Sequence, residues 1–201
     1  MNQNEHPRET FWKTMMMGNA PHHYVEIGTC FGAFSEFLLR SNIQCRLTTI
    51  DPYRKFPAEE YRDALNDYSQ EQCDQKYLHV YGKLNQKYGD RVRMLRSMSV
   101  DASKIFNDNS LDFVYIDGNH EYRAVVKDIT AWLPKVKKGG ILGGDDVEDI
   151  HLHHDGGSVI IQHSPGSWGQ YGVHQALIDI KKQNPWFDYK IVGNQWYWVK
   201  K

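Results

Sequence analysis

The chain has 201 residues with 24 Lys or Arg against 25 Asp or Glu, a formal net charge of -1, which argues against a generally basic surface and a nucleic-acid partner. Three cysteines, Cys30, Cys45 and Cys73, match neither a zinc spacing nor a disulfide framework and point to a reducing compartment. The length suits one domain, 1–201, and the apolar runs fall short of signal-peptide or transmembrane length, so the expectation is a cytoplasmic protein without a membrane partner.

Residues 8–17 read as a short helix with Phe11, Trp12 and Met15 on one face, part of an N-terminal helix or lid over 1–20. Met15, Met16 and Met17 read as packing residues. "HYVEIG" reads as a strand, followed by a glycine turn and the helical "AFSEFLLRSN", which carries Phe34, Phe37 and Leu38 on one side. "CRLTTIDPY" is a second strand, stopped at Asp51 by Pro52. Residues 57–88 are polar and helical in tone, a block expected on the outside. "RVRMLRS" and "LDFVYID" are the third and fourth strands, and "EYRAVVKDITAWLPKV" is an amphipathic helix with Pro134 in or after its last turn. "GGILGGDDV" is a short fifth strand bounded by glycines. Residues 147–170 form a long polar segment, an expected active-site loop, before the helical "HQALIDIKKQ". The alternating runs around Gly193-Asn194 read as a terminal hairpin. Lys137-Lys138 and Lys181-Lys182 read as solvated helix ends.

Strands alternating with helices imply an α/β fold: a Rossmann-like, seven-stranded, mostly parallel sheet, helices on both faces, closed by a C-terminal antiparallel hairpin. Ligands in such sheets bind beyond the carboxyl ends of the strands. "VEIGTCFG" ends the first strand and places Glu26, Gly28 and Gly32 in an E-x-G-x-x-x-G spacing. The glycines let a ligand approach the backbone, and an acid where a dinucleotide fingerprint has glycine suits a ligand with a positive end. Alone, such a turn is common. Asp51 at the second strand end can take the two hydroxyls of a ribose, or can serve merely as a turn-former before Pro52.

Together, "VEIGTCFG" and "TTIDPY" resemble the glycine-rich motif and the ribose-binding acid of class I S-adenosylmethionine-dependent methyltransferases. The resemblance spans nearly the whole chain. It implies S-adenosyl-L-methionine as cofactor, with Glu26, Gly28 and Gly32 at its methionine portion and Asp51 at its ribose. It further implies Met98 and Ser99 at the adenine, although "RSMSV" lacks the glycine often found there.

"YIDGNH" ends the fourth strand at Asp117, and "LGGDDV" ends the fifth at Asp145 and Asp146. In the strand order of that fold these ends are neighbours, so three carboxylates converge beside the cofactor crevice. Carboxylates so close do not all stay ionised without a cation, and oxygen-only donors suit Mg2+. The other reading of the Asp pair is a Gly-Asp turn that caps the next element. The wording from Tyr115 to Val147 resembles the metal-dependent O-methyltransferases, those of the catechol and caffeoyl-CoA type and, more closely, the sugar O-methyltransferases of the macrocin type. By that likeness Asp117, Asp145 and Asp146 hold the metal, and Asp117 also borders the cofactor. Where the sugar group can carry a second acid, this chain has Asn119.

His120 stands where the catechol-type enzymes carry a lysine, and two readings are open for it: a catalytic base of near-neutral pKa, or a cap on the following helix. The run His151, His153, His154 and Asp155 reads as exposed and polar, and Trp168 and Tyr171 as walls for a ring-shaped acceptor or as ordinary packing. The expected activity is methyl transfer to a hydroxyl of a sugar-like or secondary-metabolite acceptor, with Mg2+ or another divalent cation. The alternatives are a metal-free methyltransferase and a non-catalytic nucleoside- or partner-binding module of the same fold. The aromatic terminal hairpin offers a surface on which copies could associate as a homo-oligomer.

Overall fold

The computed structural model describes residues 7–16, 23–61, 64–147, 161–164, 167–169 and 172–201. In chain order the elements are α1 (Pro7–Met16), β1 (His23–Ile27), α2 (Ala33–Ser41), β2 (Arg46–Ile50), α3 (Gln70–Tyr88), β3 (Val92–Leu95), α4 (Ser99–Ser103), β4 (Leu111–Ile116), α5 (Tyr122–Trp132) and β5 (Val136–Gly144). After these come β6 (Ile161–Ser164), β7 (Ser167–Gly169), α6 (Val173–Gln183), β8 (Lys190–Val192) and β9 (Gln195–Val199). Seven strands form one sheet in the order β3-β2-β1-β4-β5-β9-β8, while β6 and β7 pair separately. The first five are parallel, β9 runs antiparallel to β5, and β8 runs antiparallel to β9.

All six residues of β4 are buried, because this central strand is covered on both faces. Its alternation splits the core in two. Phe113 and Tyr115 join Trp12, Phe34, Phe37, Leu38, Val80 and Leu84 beneath α1, α2 and α3. Val114 and Ile116 join Val125, Ile129, Trp132, Leu177 and Trp196 beneath α5 and α6. Helix boundaries follow local chemistry. A capping box between Ser69 and Gln72 starts α3, and Pro134 closes α5 in a short 3-10 turn over Leu133–Lys135.

The expected elements are present, with four differences, the first being the short helix α4, which the residue pattern did not suggest. The fifth strand begins earlier than the glycines suggest, and its register against β4 shifts between Leu111 and Phe113. Lys137 and Lys138 therefore lie within a strand instead of ending a helix, and Lys137 pairs with Asp112. The short β6–β7 pair occupies part of the stretch expected to be only loop. Among the described residues no helix is long and apolar enough to cross a membrane.

Strand order reverses between β1 and β4: β1 passes on to β2 on one side, and β4 lies on the other. The carboxyl ends of β1, β2, β4 and β5 thus open onto one crevice, the place where open α/β sheets bind ligands.

Candidate active site

The turn from β1 into α2 is held from three sides. The Gly28 amide donates to the Ile50 carbonyl at 2.8 Å, and the Gly32 amide to the Thr29 carbonyl at 2.7 Å. Asp51 accepts the Cys30 amide at 2.9 Å on one oxygen and the Tyr53 amide at 2.8 Å on the other. Gly28 has φ +92°, and a Cβ there would lie 1.8 Å from the Asp117 carbonyl oxygen. Its lack of a side chain lets the ends of β1 and β4 touch. Gly32, at φ +72°, is the left-handed residue that turns the chain into α2.

Glu26 lies beneath this turn at 1% exposure, where it accepts hydrogen bonds from Ser35 and, at 2.9 Å, from Thr49. Burial outweighs those bonds and pushes its carboxyl up to about 8. Met98 is exposed at the N-cap of α4. Ser99 points toward α5 instead: its hydroxyl accepts the Trp132 indole N–H at 2.9 Å and meets Asp128, which burial holds at about 6.

The structure brings the three expected carboxylates to one edge of the crevice and divides them between two cations. Arg8 of α1 places one guanidinium nitrogen 2.9 Å from both Asp117 and Asp145. His120 directs Nε2 at Asp146, 3.0 Å away, and at Asp117, 3.4 Å away. Asp146 adopts φ +63°, left-handed backbone that Asp tolerates better than most residues. The adjacent hairpin completes the edge, with Asn194 donating to Asp146 at 3.0 Å and Gln195 donating to Asp145. Tyr115 reaches Asp145 at 3.2 Å and Gln195 at 2.8 Å.

This geometry surrounds the His120 imidazole with carboxylates. Burial pulls its pKa down, but the hydrogen bonds and charges of Asp117 and Asp146 outweigh it and raise the group to about 10. Its backbone carbonyl takes the Gly172 amide at 2.8 Å, and Asn119 accepts the Glu121 amide at 2.9 Å ahead of α5. His151, His153, His154, Asp155 and Tyr171 lie outside the described residues, and Trp168 is described only in its backbone, in β7.

Residue patterns did not single out Arg8, Tyr115, Asn194 or Gln195. Arg8 carried one signal: it precedes Trp12 by four residues and so shares its helix face. Gln195 carried another, as a polar residue opening the aromatic run "QWYWV", where it is 5% exposed.

Asp117, His120 and Asp146 each offer a ligand atom, and the three atoms lie within 4.8 Å of one another, a set that fits a single divalent ion. An ion held there displaces the imidazole proton. The crevice fits S-adenosylmethionine equally well: a carboxylate ends β2, and the N-terminus of α2 opens at the glycine turn.

Comparison with known proteins bears on the family and the fold. A family profile described as a methyltransferase domain matches residues 25–147. Among curated proteins, an uncharacterized protein of Sinorhizobium fredii, y4gI, is 25% identical over 162 residues, covering 79% of this chain and 15% of that protein. The uncharacterized protein R132 of Acanthamoeba polyphaga mimivirus is 28% identical over 131 residues, 63% of this chain and 52% of that protein. The chain thus spans about half or less of the length of the curated relatives it matches. Of solved structures, the O-methyltransferase TomG from Streptomyces achromogenes, in complex with S-adenosylmethionine, superposes with a TM-score of 0.63 at 13% identity, over 98% of this chain and 81% of that one. An O-methyltransferase from Bacillus cereus, in complex with S-adenosylhomocysteine, gives 0.61 at 14% identity, over 100% and 84%. These structures share the fold. The profile covers more than half of the chain, which belongs to this methyltransferase-domain family, of the class I S-adenosylmethionine-dependent kind.

Proposed function

We propose that the chain transfers a methyl group from S-adenosylmethionine to a hydroxyl of a small molecule, assisted by a divalent cation. The observation that carries this reading is the edge of Asp117, His120, Asp145 and Asp146 beside the glycine turn, where β1 and β4 part. The O-methyltransferases TomG and that of Bacillus cereus, which share the fold, support the choice of oxygen as acceptor.

In this reading Asp51 receives the ribose hydroxyls, because its oxygens are fixed by the Cys30 and Tyr53 amides and keep room for further donors. The Gly28–Gly32 turn lies against the methionine portion, with Glu26 buried beneath it and bonded to Ser35 and Thr49. Met98 covers the adenine. The cofactor's sulfonium supplies an activated methyl group, so the protein mainly aligns the reactants and excludes water. A divalent ion, when bound at the acidic edge, lowers the pKa of a coordinated hydroxyl. Asp117 stands between the two, which places the acceptor next to the methyl donor.

A second reading is favoured by Arg8, whose guanidinium already compensates Asp117 and Asp145: a methyltransferase that needs no metal. The test is transfer of labelled methyl from S-adenosylmethionine to a panel of sugars, polyols and catechols, with added Mg2+ or Mn2+ and with a chelator. Transfer abolished by the chelator and restored by the ion is expected. Transfer indifferent to the chelator selects the second reading, and absence of cofactor binding by calorimetry removes both.

A further inference from the structure

Asp145 and Asp146 are consecutive in sequence yet face different partners. Asp145 receives Arg8 at 2.9 Å and the Tyr115 hydroxyl at 3.2 Å on Oδ2, and the Gln195 amide together with the Asp146 N–H at 2.9 Å on Oδ1. Tyr115 has one hydroxyl proton and a shorter contact to Gln195 Oε1 at 2.8 Å, so Arg8, Gln195 and the Asp146 N–H are the settled donors, and they already engage both oxygens. Asp146 turns the other way, with Oδ2 3.0 Å from His120 Nε2 and Oδ1 accepting Asn194 at 3.0 Å. The left-handed backbone at Asp146 allows this divergence, and two consecutive residues of the hairpin, Asn194 and Gln195, hold one carboxylate each. Asp117 links the halves, offering Oδ2 to Arg8 and Oδ1 to His120.

We propose, on the reading that the chain is a cation-assisted methyltransferase, that Asp117, His120 and Asp146 hold the cation and that Asp145 does not. Asp145 is a positioning residue that seats Arg8, a built-in cation of the fold, beside Asp117. Two carboxylates and an imidazole make a mixed oxygen and nitrogen donor set, which suits Mn2+, Fe2+ or another transition ion better than the all-oxygen shell of Mg2+. The arrangement gives the adjacent aspartates unequal roles, although both end the same strand.

The test is titration of tag-free protein with Mn2+ alone, followed by calorimetry and electron spin-echo spectroscopy. Asp146→Asn and His120→Gln are expected to weaken Mn2+ binding by about tenfold or more, whereas Asp145→Asn falls well short of that. Arg8→Met is expected to bind Mn2+ at least as tightly as the wild type, because a neighbouring positive charge is gone. The spin echo of the wild type and of Asp145→Asn carries modulation from a directly bound nitrogen, and that of His120→Gln lacks it. Circular dichroism verifies the fold of each variant, and the wild-type echo needs no variant at all. Equal losses in Asp145→Asn and Asp146→Asn, or a wild-type echo without nitrogen, overturn the assignment and leave cation assistance standing. A wild type that binds no Mn2+ or Mg2+ overturns cation assistance and the assignment with it.

Discussion

Two glycines of one motif do different work. A methyl group at Gly28 would lie 1.8 Å from the Asp117 carbonyl oxygen, so Gly28→Ala must push β1 and β4 apart, whereas at Gly32 it would meet the Val80 side chain at 3.0 Å. Both positions have positive φ. Gly32→Ala is expected to cost roughly 1–3 kcal/mol through backbone strain, and Gly28→Ala distinctly more, with Asp117 displaced as well. Urea denaturation of the two variants checks the order, and equal losses would refute it. Glu26 makes a prediction about pH. Burial raises its pKa from 4.5 to about 8, so the folded state holds the proton more tightly than the unfolded chain does. Its contribution to stability is complete below pH 4.5 and is lost as pH rises through about 8. Wild-type stability is therefore expected to fall between pH 5 and 9, and that of Glu26→Gln to fall less, measured by urea midpoints across that range.

At the scale of elements, Trp12 is the deepest anchor of α1. Trp12 is fully buried, packs against Phe113 and Tyr115 with ring centroids 5.0 and 5.4 Å apart, and donates its indole N–H to Gln195 at 2.7 Å. Its ring occupies the space above Gly143, where a Cβ would come within 2.4 Å of it. Trp12→Ala is expected to cost about 3–5 kcal/mol and to release Arg8 from the acidic edge; chemical denaturation measures the first effect and Mn2+ calorimetry the second. This docking also explains what the sequence showed and what it did not. The strand-helix alternation was legible because periodicity and glycine punctuation are local. The convergence of Asp117 with Asp145 and Asp146 was legible because strand ends meet wherever the strand order is known. Arg8 reaches Asp145 across 137 residues, and Gln195 reaches it across 50. No local pattern marks such partners, and without them Asp145 and Asp146 look alike. The surroundings of His120 were hidden for the same reason, since they include Asp146, supplied by another strand end.

At the scale of the whole molecule, the cofactor crevice joins the ends of β1, β2 and β4, so a ligand there ties both halves of the sheet together. Saturation with S-adenosylhomocysteine at about 100 times its Kd is expected to add about 2.7 kcal/mol, a Tm rise of roughly 5–10 °C for a domain of this size. Asp51→Asn is expected to lose most of that rise, and differential scanning fluorimetry reads both; an unchanged shift would remove Asp51 from the ribose site. Finally, the hydrogen bond between Trp12 and Gln195 joins α1 to β9 across 183 residues. Arg8 is synthesised before β9, yet the seat for its helix is finished only when β9 pairs with β5. Until then Trp12 has no Gln195 to receive its indole N–H, and Asp145 and Asp146 lack the hairpin donors Gln195 and Asn194. The charge balance of the acidic edge is thus coupled to the pairing of β9, a strand distant in sequence from α1.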